Sequence, residues 1–104
     1  MKMKKKKKTE FEWDDKKNAL NIMKHGVSFE DAIMIFNDPK RYEQYDKAHS
    51  FFEDRWKTVG LNNTTVLCVI FTEIEESTRI ISVRKADKDE KEKYFYEYST
   101  FYIN

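Results

Sequence analysis

The sequence predicts an α+β domain: a curved, mostly antiparallel sheet with two N-terminal helices and one C-terminal helix. Three observations carry this reading. Apolar residues recur at helical spacing as far as Pro39 and at a spacing of two from Tyr42 onward. Helix start and stop signals stand near both ends of the chain. With two glycines and one proline among 104 residues, the chain has few places to break, so it reads as one domain with a modest core.

In chain order, Phe11-Glu12-Trp13 reads as a short first strand with alternate large rings facing a core. A helix follows from Asp15 to His25, with Ala19, Ile22 and Met23 as its apolar stripe, and Gly26 ends it as a left-handed cap. Ser28 and Asp31 form a capping box for a second helix, in which Phe29, Ala32, Ile33 and Phe36 fall on one face. Asn37-Asp38-Pro39 closes it. Tyr42–Tyr45, Arg55–Leu61, Thr65–Glu73 and Thr78–Lys85 then read as successive strands joined by short polar turns. Thr65–Phe71, apolar on both faces, is expected at the centre. Asp87 caps the last helix with Glu90 at its third position, and Asp87–Lys91 and Asp89–Lys93 support its solvent face. All three helices are expected on one face of the sheet.

The formal net charge of +1 hides an asymmetry. Residues 1–8 contain six lysines, so the remaining chain carries 14 basic against 19 acidic side chains, a net of −5. Such a body binds nucleic acid only through a local basic site. Residues 1–9 read as a disordered basic arm, residues 10–98 as the domain and 99–104 as an aromatic extension. The arm lacks the apolar run of a secretory signal, and no stretch has the length of a membrane span. The one cysteine, Cys68, lies in an apolar strand and reads as a small core residue; a cytoplasmic location is expected. With only His25 and His49 beside it, no metal-ligand spacing occurs, so neither metal nor cofactor is expected.

Two segments concentrate chemistry. Ser77–Tyr94 is a strand bearing Arg79, Arg84 and Lys85 that runs into a charged helix. Guanidinium forks on a rigid strand suit phosphate, although arginines in so acidic a body also pair with carboxylates. Asp46–Trp56 places His49, Glu53 and Arg55 at a loop-to-strand junction. Cleaving RNA without a metal requires a base for the 2′-hydroxyl, an acid for the leaving oxygen and cations for the phosphorane, roles open to these residue types. Asp46 is spaced to orient His49. Lys24 and His25 end the first long helix, where a cation also complements the helix dipole. The final segment carries Tyr94, Phe95, Tyr96, Tyr98, Phe101 and Tyr102, more rings than one helix can hide, and is expected to meet a partner.

The elements FEWDDKK, KHGVSFEDAIMIFNDP, DKAHSFFEDRW and RIISVRKADKDEKEKY, in this order over roughly residues 11–97, resemble the BrnT family of toxins from type II toxin–antitoxin operons. The resemblance implies a RelE-like fold and an endoribonuclease that inhibits translation. It also implies a cognate BrnA-like ribbon-helix-helix antitoxin in a toxin–antitoxin heterotetramer, touching operator DNA only through the antitoxin. The resemblance supplies only the positions of the polar residues; by residue chemistry, Arg84 is the expected phosphate clamp, assisted by Arg79 or Lys85. Glu53 and His49 are expected to transfer protons and Arg55 to stabilise charge, with Lys85, Lys24 and His25 binding RNA. Tyr94, Tyr98, Phe101 and Tyr102 are expected at the partner interface. The alternative is a non-catalytic toxin-fold module acting with the antitoxin in operon repression.

Overall fold

A computed structural model describes residues 10–103, with side chains as far as Tyr96. The basic arm of residues 1–9, and the rings of Tyr98, Phe101 and Tyr102, lie outside the described residues. The chain runs β1 (Glu10–Glu12), α1 (Asp15–His25), α2 (Phe29–Ile35), β2 (Tyr42–Tyr45), β3 (Trp56–Asn62), β4 (Thr65–Ile74), β5 (Ser77–Lys85) and α3 (Lys88–Ile103). The strands form one open sheet in the order β1-β5-β4-β3-β2. Strands β2 to β5 pair antiparallel, and β1 pairs parallel with β5, so the sheet is mixed.

Local chemistry explains the helix ends. The Asp14 side chain accepts from the N–H groups of Lys16 and Lys17, and Gly26 closes α1 at φ 72°, where a Cβ would be strained. Ser28 and Asp31 complete their capping box on α2. Asp87 and Glu90 do the same for α3, each side chain accepting the other's N–H at 2.8 and 2.9 Å. At Gly60, a Cβ would meet Ile35 Cγ2 at 2.6 Å, so the missing side chain is what lets α2 lie against β3.

The helices divide between the two faces, correcting the expectation that they share one. Helix α2 packs Phe29, Ala32 and Ile35 with Leu67, Val69, Ile80 and Val83, and Phe11, Trp13 and Phe36 border this core. Strand alternation turns Val59, Val66 and Cys68 to the other face, where Ala86 and Tyr94 of the C-terminal segment complete a second core. Tyr94 is therefore fully buried rather than exposed for a partner. Its hydroxyl donates to Asp38 Oδ2 at 2.6 Å, which ties α3 to the segment after α2. Burial acts to raise the Asp38 carboxyl. Tyr94 and the N–H groups of Leu61 and Lys40 outweigh that and hold it below its ordinary value.

Helix α1 is turned opposite to its apolar stripe: Ala19, Ile22 and Met23 are exposed and Asn21 is buried. The cause is backbone demand. Strand β1 pairs with β5 only as far as Arg79, which leaves the far edge of β5 open. The Asn21 amide closes that edge, accepting from Val83 N–H and donating to the carbonyls of Val83 and Val27 at 2.7 and 2.9 Å. Asn18 accepts from Phe29 N–H at the start of α2. Unpaired buried backbone costs more than a few exposed methyl groups, so the asparagines take the inner face. Among the described residues, no helix is long and apolar enough to cross a membrane.

Candidate active site

The face opposite α2 carries a cleft of about 420 Å³ lined by Gln44, Tyr45, Asp46, His49, Arg55, Lys57, Ile70, Ile81, Ser82 and Arg84. A bulge shapes it. Across β4 and β5, Ile70 faces Ser82 but Phe71 faces Ile80, so Ile81 is an extra residue with no opposite number. Arg79 and Arg84 are five apart and would fall on opposite faces of a regular strand. The bulge resets the alternation, setting Arg79 across from Thr72 and Arg84 across from Cys68, two positions of one face of β4.

Two carboxylates order the cations. Glu53 accepts from Arg55 Nη2 at 3.2 Å and from Arg79 Nη2 at 3.4 Å. Glu90 accepts from Arg84 through both oxygens, at 2.8 and 2.9 Å, and from Lys57 Nζ at 3.0 Å. Four cations, Arg55, Lys57, Arg79 and Arg84, against three carboxylates, Glu53, Glu90 and the Asp46 that holds His49, leave the site positive within a body that is negative. Glu90 is buried, which acts to raise its carboxyl; Arg84, the Asp87 N–H and Lys57 reverse this and lower it to about 2. The same hydrogen bonds, against partial burial, push the Arg84 guanidinium further toward its charged form. Arg84 remains 38% exposed, open to a ligand on its outer side.

His49 ends a 3₁₀ turn, Lys47–His49, that Asp46 precedes as its N-terminal cap position. Its Nδ1 faces both oxygens of Asp46 at 3.1 and 3.2 Å. A carboxylate only accepts, so Nδ1 donates to Asp46 and Nε2 is the ring nitrogen left to meet a ligand. Ser50 pinches the loop closed: its hydroxyl donates to Asp46 O at 2.7 Å and accepts from Arg55 N–H at 2.9 Å. Thr72 donates to Asp54 O at 2.6 Å, pinning the loop to β4. The loop is thus a fixed platform for His49, Glu53 and Arg55.

The structure therefore gathers His49, Arg55 and Arg84 in one cleft, with Glu53 and Arg79 joined to it through Arg55. It does not gather Lys85, Lys24 and His25 there. Lys85 lies opposite Leu67, on the other face from Arg84, and lines a separate concavity with Gly26 just past the end of α1. Sequence reasoning missed Lys57, whose position across from Ile70 emerges only with the register. It also missed Phe51 and Phe52, for which two adjacent rings in a polar loop were the available signal. Cys68 lies beneath the site, where burial pushes its thiol up to about 12 against the pull of Arg84 and Lys57; it is no nucleophile. Among the described residues, no group of three or more His, Cys, Asp or Glu side chains is placed to hold a metal ion.

A fixed row of guanidiniums with one carboxylate-oriented imidazole, open to solvent on a sheet face, has the chemistry of a phosphodiester-processing site. The sequence agrees at the level of family. Residues 13–90 match the family described as ribonuclease toxin, BrnT, of type II toxin–antitoxin system, and the chain belongs to that family. No curated protein matches it.

Proposed function

We propose that this chain is a metal-independent endoribonuclease toxin with a RelE-like fold, which stops translation by cutting RNA in the cytoplasm. The observation that carries the proposal is the convergence of His49, Arg55 and Arg84 from the loop and β5 on one cleft. The scissile phosphate lies against Arg84 and Lys57, whose donors are held in place by Glu90. Glu53, held between Arg55 and Arg79, takes the proton of the ribose 2′-hydroxyl. The 2′-oxygen attacks phosphorus, the bond to the 5′-oxygen breaks, and His49, oriented by Asp46, gives that oxygen a proton. The products are a 2′,3′-cyclic phosphate and a 5′-hydroxyl; Glu53 then releases its proton to solvent and His49 takes one up. Lys85 and Lys24 contribute charge and His25 a ring contact to RNA beyond the cleft, and the basic arm adds charge.

Neutralisation falls to a BrnA-like ribbon-helix-helix antitoxin in a heterotetramer, through which alone operator DNA is reached. The contact includes the C-terminal rings: Phe95 and Tyr96 are 49% and 71% exposed, and Tyr98, Phe101 and Tyr102 follow them. The toxin unit spans residues 10–98. A second reading, a non-catalytic module of the repressing complex, has one observation in its favour: Arg84 and Arg55 already hold carboxylates. Controlled expression of wild type and Arg84→Ala in bacteria, following growth and total RNA, separates the two. Arrest with RNA loss in the wild type alone supports the nuclease. A folded wild type that binds the antitoxin and leaves growth and RNA unchanged supports the module.

A further inference from the structure

The loop that carries His49 and Arg55 also displays two adjacent rings at its tip. Phe51 and Phe52 are 89% and 99% exposed, the most exposed large apolar side chains among the described residues. Exposed rings are normally costly, and these are not the result of a slack loop. Ser50 on one side bonds to both ends of the loop, and Asp54 on the other is fixed by Thr72 and by the Tyr45 hydroxyl at 2.8 Å. The rings stand 5.7 Å apart, tilted at 43°. A base inserted between two rings needs about 7 Å, twice the carbon–carbon contact distance. The pair therefore offers outer faces for stacking rather than a slot. Beside the rings lies a concavity walled by His49, Glu53 and Arg55, and His49 and Arg55 also wall the catalytic cleft. The two hollows thus share His49 and Arg55 as walls, which sets a guanidinium between the rings and the cleft.

We infer that Phe51 and Phe52 form a stacking platform for an unpaired nucleobase adjoining the scissile phosphate, which restricts the enzyme to single-stranded RNA. The inference rests on the nuclease reading. The physics favours a base over an apolar protein surface. A base brings a flat face for a ring and, one linkage away, a phosphate for Arg55, whereas an apolar partner would leave the surrounding charges unmatched. Stacking tolerates any base, so the platform selects strandedness more than sequence. A paired base keeps its faces covered by its neighbours and cannot use it.

The test is binding of the full chain to a fluorescein-labelled 2′-O-methyl RNA of roughly a dozen nucleotides, which lacks the attacking hydroxyl, as a single strand and as a duplex. Wild type is compared with Phe51→Leu/Phe52→Leu, which keeps apolar bulk without a ring face, and with Phe51→Tyr/Phe52→Tyr. The leucine variant should bind the single strand about 10-fold or more weakly and leave duplex binding unchanged, and the tyrosine variant should restore the loss. Equal single-strand binding by wild type and the leucine variant, with cleavable RNA still cut by the wild type, would overturn the platform and leave the nuclease standing. Unchanged RNA binding with lost antitoxin co-elution would overturn it in favour of a protein partner. A wild type that neither binds nor cuts RNA would remove the nuclease reading, and this inference with it.

Discussion

Arg84 and Glu90 meet in a two-pronged pair at 2.8 and 2.9 Å, joining the end of β5 to the first turn of α3. The same carboxylate caps α3 and holds Lys57, so one buried acid sets the helix start and aligns two cations of the cleft. Replacing Glu90 by Gln should therefore damage both fold and function. Breaking a buried pair costs about 3–5 kcal/mol, and the exposure of Arg84 reduces that here to roughly 2 kcal/mol. Denaturant unfolding should show this loss. At a temperature where the variant is folded, kcat should fall more than KM rises, because the cations remain but are misaligned. Unchanged stability and turnover would contradict the positioning role.

Acid should weaken the protein through the same residue. The Glu90 carboxyl lies near 2 in the fold, below the 4.5 of the free side chain. A depressed carboxyl stabilises fully above the unfolded value and loses that stabilisation as pH falls through the folded one. Stability should thus decline from about pH 5 down toward pH 2, and Glu90→Gln should flatten the decline. Thermal melts across that range check it, and an equal slope in the variant would assign acid lability elsewhere.

Asn21 should behave as a structural residue with no role in chemistry. Asn21→Leu leaves the N–H and C=O of Val83 buried and unmet, a cost of about 2–4 kcal/mol. Chemical denaturation should report that loss while the folded variant cuts RNA normally. A neutral effect on stability would mean that water closes the β5 edge.

The proton-transfer assignment has its own test. His49→Ala should slow cleavage of RNA by about 10²–10⁴-fold, the usual worth of a general acid. It should slow a nucleoside 3′-(p-nitrophenyl phosphate) far less, because that leaving group departs without a proton. Equal losses on both substrates would move His49 out of the acid role.

Much of the fold was legible because its signals are local. Gly26, the Ser28–Asp31 box and the Asp87–Glu90 box mark helix ends through contacts three residues long, and the two-residue alternation marked β2 to β5. The inner face of α1 was not legible, because its partner is the unpaired edge of β5, a consequence of where β1 stops. The joining of Arg79 and Arg84 on one face depends on a single bulged residue, Ile81, which alternation cannot reveal. Arg84 and Glu90 were each conspicuous, but their pairing needed the turn between β5 and α3. Tyr94 looked like one of many surplus rings until the second core behind β3 and β4 required it.

The most direct measurement is cleavage of a single-stranded RNA by the purified chain in excess chelator, with wild type beside Arg84→Ala and the product ends identified. A metal-independent nuclease built on Arg84 should cut whether or not the chelator is present, leave 2′,3′-cyclic phosphate and 5′-hydroxyl ends, and lose activity in a folded Arg84→Ala. Cutting that stops when metal is removed, or that persists in full without Arg84, would contradict it.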